Sequence, residues 1–183
     1  FLTAEEMPGL PAGSEIAFEG FFREGFLPSE VCKKAEISRR EGNIFVHTPS
    51  ADYEFDGTSG EIAVTRAGKA LGSIRPVIWR APTDNDTDVE RWLRDAVNEA
   101  WDIFSDDCSV TVTGKFGFAS RRPPLYYILC YTFGEEGFDV TADYRTTVPF
   151  VPRFGLCMKL SSSFDSLRYC AYGPGESYVD KHL

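Results

Sequence analysis

Between Asn43 and Ala171 the chain falls into short runs with an apolar residue at every second position, each closed by a turn rich in glycine, proline or aspartate. A period of two places those side chains on one face of an extended strand. Asn43-Ile44-Phe45-Val46-His47 is one such run, ended by Pro49. Tyr53-Glu54-Phe55, the turn Asp56-Gly57-Thr58-Ser59-Gly60 and Glu61-Ile62-Ala63-Val64-Thr65 read as a hairpin, with a further turn at Ala67-Gly68-Lys69. Upstream, Val31, Lys33, Ala35 and Ile37 alternate with Cys32, Lys34 and Glu36. Downstream, Cys108, Val110, Val112, Phe116 and Phe118 face one way, and Ser109, Thr111, Thr113 and Lys115 the other. Leu125 to Tyr131 is apolar throughout, as a central strand would be. Gly134 to Gly137 is a hairpin loop leading into Phe138, Val140, Ala142 and Tyr144. Two more strands carry Phe154, Leu156, Met158 and Leu160, then Leu167, Tyr169 and Ala171. Strands of this kind, with turns about every ten residues, predict an all-β, antiparallel β-sandwich.

One stretch departs from that period. Val89, Trp92, Leu93, Ala96, Val97, Ala100, Trp101 and Phe104 recur at three- and four-residue spacing, which predicts one amphipathic helix over 88–104. Thr87 followed by Glu90 supplies a capping box at its start. The stripe suits packing across a sheet edge better than a sugar platform built from Trp92 and Trp101.

A formal net charge of -9 speaks against nucleic acid and against anionic membrane surfaces, since both need basic patches. No apolar stretch approaches the length of a membrane span. Cys32, Cys108, Cys130, Cys157 and Cys170 show no CxxC pair and no zinc spacing, so buried free thiols and a reducing, cytoplasmic compartment are expected. Phe1 opens the chain without a methionine and Leu183 follows a turn-rich segment, so an excised piece of a larger protein is expected. Gly20, Gly25 and Pro28 read as a linker, dividing residues 1–30 from 31–183.

Two loops concentrate polar chemistry. Trp79-Arg80-Ala81-Pro82-Thr83-Asp84-Asn85-Asp86 puts a guanidinium fork and two carboxylates around a proline-fixed turn, suited to holding a loop rigid. Asp84, Asp86 and Asp88 match the first positions of a calcium loop, but Val89 stands where that loop needs glycine, and acidic residues suit a helix start anyway. Metal binding is therefore not the reading we carry forward. Tyr172-Gly173-Pro174-Gly175-Glu176-Ser177-Tyr178-Val179-Asp180 projects Glu176, Tyr178 and Asp180 from a tight loop. Two carboxylates four apart serve either as an acid and base or as hydrogen-bond anchors, and the anchor role is favoured. Of the two histidines, His47 reads as a partly buried strand residue with a backbone partner, and His182 ends a loop. No serine or cysteine has an evident His/Asp relay, and no phosphate loop is present.

W-R-A-P-T-D-N-D at Trp79 to Asp86, P-R-F-G-L at Pro152 to Leu156 and the Tyr172 to Asp180 loop resemble, in order and separation, the C-terminal (small-chain) domain of LacZ-type β-galactosidases, glycoside hydrolase family 2. The likeness covers about residues 36–183, and residues 9–22 resemble the end of the preceding immunoglobulin-like domain. It implies that 31–183 is the N-terminal part of a β-supersandwich related in shape to galactose mutarotase. It also implies a parent enzyme that hydrolyses terminal β-D-galactosides with retention, through two glutamates on a (β/α)8 barrel that also holds Mg2+ and Na+. On that reading this segment has no catalytic residue and no cofactor of its own. Its partners are the barrel and the other domains, within a homo-oligomeric parent, and it meets the galactoside only indirectly. Arg80, Asp84, Asn85 and Asp86, with Glu176, Tyr178 and Asp180, would fix loops near the active-site mouth.

Two rival functions remain at this stage. The tryptophans Trp79, Trp92 and Trp101 and the many tyrosines suggest a carbohydrate-binding module. The shared architecture suggests a mutarotase-like sugar isomerase using His47, His182 and Glu176, which requires a histidine and a carboxylate in one pocket.

Overall fold

The computed structural model describes residues 35–79, 93–118, 122–147, 151 and 153–166. Its strands are β1 (Glu36–Arg40), β2 (Asn43–His47), β3 (Asp52–Phe55), β4 (Ile62–Arg66), β5 (Lys69–Val77), β6 (Val97–Ser105), β7 (Ser109–Gly117), β8 (Leu125–Phe133), β9 (Phe138–Arg145) and β10 (Gly155–Leu160). They form two antiparallel sheets, ordered β1-β2-β3-β4-β5-β10 and β6-β7-β8-β9. The predicted all-β sandwich is what the chain adopts.

Local chemistry sets each hairpin. Glu41 and Gly42 join β1 to β2 with φ of 50° and 90°, and Ala67 and Gly68 join β4 to β5 with φ of 49° and 74°. Two-residue loops with both φ values positive match the right-handed twist of the strands they connect. The β3–β4 and β6–β7 turns use aspartate instead. Asp56 Oδ1 accepts from the Thr58 and Ser59 amides and from Ser59 Oγ, at 2.9, 2.6 and 2.8 Å. Asp106 does the same with the Cys108 and Ser109 amides and Ser109 Oγ. An aspartate side chain bonded to the backbone two residues on mimics a turn of the main chain.

The core lies between the sheets. Ile44, Val46, Tyr53, Phe55, Ile62 and Ile74 of the six-stranded sheet meet Val110, Val112, Leu125, Tyr127, Leu129, Tyr131 and Phe133 of the other. Phe55 packs edge-on against Tyr131 at 5.3 Å and Phe133 at 6.1 Å, and Tyr53 meets Phe133 at 5.1 Å. Such pairs each add about 0.5–1.5 kcal/mol beyond the burial of their area. Aromatic contacts between β3 and β8 are thus part of what joins the layers.

Three expectations need correction. The helix predicted over 88–104 is absent from 97–105, which is β6; only Leu93 and Arg94 are helical, and 88–92 lie outside the described residues. The register slips between Ala100 and Asp102, a β-bulge. Ala96, Asn98 and Ala100 sit inward at a spacing of two, and Ile103, buried, follows three later, the side chain of residue 101 lying outside the described ones. A bulge adds one residue to one strand, so a strand acquires a helix-like interval. The buried thiols do not materialise either: Cys157 is exposed and Cys108 and Cys130 are half-buried, while Cys32 and Cys170 lie outside the described residues. Cys130 belongs to the outward row of β8 with the exposed Tyr126 and Ile128, and Cys157 stands opposite the exposed Arg75. β8 is a central strand as expected, yet only one of its faces is buried. His47 is the third correction and belongs to the site geometry below.

Candidate functional site

All the residues singled out in the two motif loops, Arg80, Asp84, Asn85 and Asp86 and Glu176, Tyr178 and Asp180, lie outside the described residues, as does His182. What is described is the platform from which the first loop departs. β5 carries the chain through Ile78, which is buried, to Trp79, which is 41% exposed. The chain re-enters at Leu93, also buried, where a single helical turn is closed by the Ala96 amide donating to the Leu93 carbonyl at 3.3 Å. Both feet of the segment 80–92 are thus seated in the core.

Beside those feet opens a hollow of about 400 Å3, lined among others by Ser59, Glu61, Arg75, Trp79, Asn98 and Phe116. One wall is the Asp56–Gly60 turn, and it is pinned to the opposite sheet. Ala100 donates its amide to the Thr58 carbonyl at 2.9 Å, and Asn98 Nδ2 donates to the Ser59 carbonyl at 2.7 Å. Asn98 Oδ1 in turn accepts the Tyr127 hydroxyl at 2.7 Å. Gly60 has φ +68°, and a Cβ there would stand 2.7 Å from Val112 Cγ1, so the turn sits too close to β7 for a side chain.

The two shifted groups behind this wall, Asp56 and Tyr127, act as hydrogen-bonding partners of the lining residues Ser59 and Asn98. Amide and hydroxyl donation from Ser59 holds the Asp56 carboxyl below its ordinary value of 3.8, aided by the Thr58 amide and opposed by partial burial. Burial pushes the Tyr127 phenol up to about 12, against the opposing bond to Asn98. Asp56 stays ionised and Tyr127 stays neutral across the physiological range. An indole plane, a guanidinium and a carboxylate at the rim suit a neutral, hydroxyl-bearing ligand or the polar backbone of a neighbouring loop.

A second hollow, of about 550 Å3, lies on the outer face of β1–β4. Contrary to the expected half-burial and backbone partner, His47 is exposed, and its Nδ1 contacts Asp52 Oδ1 at 2.5 Å. Register brings this about: Glu36, His47, Asp52 and Thr65 are successive cross-strand partners on one face. The bond to Asp52 raises the imidazole pKa from 6.5, partial desolvation opposes it, and the charges of Asp52 and Glu36 add to the rise. Phe45, with the Arg40 guanidinium 5.8 Å from its ring centre, and Glu54 line the same hollow. Sequence reasoning missed Asp52, Asn98 and Tyr127 as polar partners, because only strand register reveals them. Among the described residues no three His, Cys, Asp or Glu side chains are placed to hold a metal ion.

Fold and hollow together define an all-β sandwich module with an aromatic-lipped polar recess beyond the end of β5. The family model for the β-galactosidase small chain matches residues 47–183, and the chain belongs to that family. Curated relatives include a β-galactosidase of Actinobacillus pleuropneumoniae, 31% identical over 98% of this chain and 20% of its own length. A β-galactosidase of Staphylococcus xylosus is 31% identical over 57% of this chain and 12% of its own. That of Halalkalibacterium halodurans is 25% identical over 92% and 19%. The chain spans about a fifth or less of the length of these relatives.

Proposed function

We propose that this chain is the non-catalytic C-terminal segment of a retaining β-galactosidase, one that cleaves terminal β-D-galactosides on a barrel carried elsewhere in the polypeptide. The family match over 47–183 carries this reading. The described residues support it by what they offer: a recess of hydrogen-bonding groups beside an exposed indole, at the root of the segment that holds Arg80, Asp84, Asn85 and Asp86. Ile78 and Leu93, which flank that segment, are both buried, and we assign the segment between them to the active-site mouth. Glu176, Tyr178 and Asp180 are assigned the same role on a neighbouring loop.

The described residues do not fit the Mg2+ and Na+ of the parent enzyme, since no three candidate ligands converge, and both ions are assigned to the barrel. The galactoside is met only indirectly, and the parent is a homo-oligomer in a reducing, cytoplasmic setting. No helix among the described residues is long and apolar enough to cross a membrane. An assay with an aryl β-galactoside tests the reading. The 183-residue chain alone should give no turnover, and the full-length parent should hydrolyse the substrate with retained configuration. Turnover by the isolated chain would reject it.

A second reading, a mutarotase-like isomerase or sugar-binding module, draws on the outer hollow, where a histidine and carboxylates do meet. His47 has Nδ1 tied to Asp52 and an exposed ring, as an acid–base group needs. Polarimetry on fresh α-galactose and a fluorescence titration with galactose decide it. Catalysed mutarotation lost in His47→Gln would favour this reading.

A further inference from the structure

The outward rows of β7 and β9 are polar, with Thr111, Thr113 and Lys115 on the first and Thr141, Asp143 and Arg145 on the second. Between them β8 turns Tyr126 and Ile128 outward, 46% and 48% exposed. A solvated sheet face carries polar side chains on the row opposite its core, so an aromatic and an aliphatic residue on the middle strand break the pattern. Register gathers polar groups around that pair. Lys115, Tyr126 and Arg145 form one cross-strand row, and Thr113, Ile128 and Asp143 the next. Cross-strand partners share a face. Three strands and two such rows make a platform about 10 Å by about 7 Å, the footprint of one sugar ring.

A hollow of about 590 Å3 opens over this platform, lined among others by Thr113, Tyr126, Ile128, Asp143 and Arg145. Small-ligand sites fall in the range of about 300–1,000 Å3. The lining holds one carboxylate and one guanidinium, and the Lys115 ammonium is tied to Glu99 at 3.0 Å. Charges there are balanced, and a chain of net charge -9 offers no surplus of cations to draw an anion in. We propose that this face binds a neutral saccharide, and that the unit it takes is a β-galactopyranosyl ring. One face of that ring is a contiguous patch of C–H groups, which would lie on the Tyr126 phenol and the Ile128 side chain. The hydroxyls at its rim would meet complementary groups: Asp143 accepts, Arg145 donates and Thr113 does either. The proposal goes beyond the functional reading above, which gives this chain only indirect contact with a galactoside. It also concerns the four-stranded sheet, whereas the hollow around His47 belongs to the other.

The test is an amide-resolved NMR titration of the 183-residue chain with methyl β-D-galactopyranoside, and with glycerol as the control for any polyol. The site is open, so saturation is expected with a Kd of about 1–30 mM, and the shifted amides should cluster at 113–115, 126–128 and 143–145. Tyr126→Ala should raise the Kd at least about tenfold. Should that change disturb the sheet, Asp143→Asn on β9 is the second variant, and it should raise the Kd about fivefold or more. No saturation by about 100 mM overturns the proposal, as does an equal response to glycerol. Shifts centred on Phe45 and His47, or a Kd that neither variant changes, overturn it as well. Each of these failures leaves the functional reading standing, because hydrolysis of an aryl β-galactoside decides that separately.

Discussion

Tyr127 on β8 donates its hydroxyl to Asn98 Oδ1 on β6 at 2.7 Å, reaching across the strand between them. The reach exists because Gly114 of β7 is the register partner of Tyr127, and a Cβ at 114 would overlap the phenol ring. Asn98 passes the connection on to Ser59 in the β3–β4 turn of the other sheet. One side-chain bridge therefore links three elements that sequence order keeps far apart.

Gly114→Ala should destabilise the fold by about 1–3 kcal/mol, the usual cost of forcing a methyl into a filled core. Urea unfolding monitored by tryptophan fluorescence reads it. An unchanged midpoint would mean that the phenol does not lie over residue 114.

Two buried tyrosines of β8, four residues apart on the same face, should respond oppositely to loss of the hydroxyl. Tyr127→Phe removes a satisfied bond and should cost about 1 kcal/mol. The Tyr131 hydroxyl is buried with no hydrogen-bond partner among the described residues, so Tyr131→Phe should be neutral or stabilising. Equilibrium unfolding of the two variants side by side checks the contrast.

His47 should titrate above 6.5 because the Asp52 bond and the nearby carboxylates favour its charged form. The sign follows: any stability that the imidazolium adds is fully present below 6.5 and is lost as pH rises through the folded-state value. Proton NMR of the imidazole should show the midpoint falling back toward 6.5 in Asp52→Asn. A midpoint indifferent to that change would show that the pair does not form in solution.

Ala67 sits at φ 49°, a conformation that strains a β-carbon, within a two-residue hairpin loop. Ala67→Gly should stabilise the chain by a few tenths to about 1 kcal/mol if relief of strain exceeds the added chain entropy. Thermal unfolding measures the balance, and a lower midpoint would contradict it.

Much of the fold was legible because its turns announce themselves. Asp56-Gly57-Thr58-Ser59-Gly60, Ala67-Gly68 and Gly134 to Gly137 all fall between strands where turn chemistry puts them. β6 was misread because its bulge replaces a step of two by a step of three, and local periodicity cannot tell that from a helix. Pairing between strands was not legible at all. Nothing adjacent to His47 marks Asp52 as its partner, and nothing near Asn98 marks Tyr127, since both depend on register. For the candidate site the order reverses. Arg80 to Asp86 and Glu176 to Asp180 stand out in the sequence as motifs, while the described geometry supplies the recess beside the first of them, with Trp79, Arg75 and Glu61 at its rim.

Ile78 and Leu93 have a further implication for how the chain between them can vary in length. Because each end of the intervening segment is secured by its own buried aliphatic side chain, the hydrophobic interior is indifferent to how many residues are strung between them. Doubling that tether would add only about 0.6 kcal/mol of closure entropy. The stretch between them can thus be lengthened or trimmed without renegotiating the packing of Ile78 and Leu93.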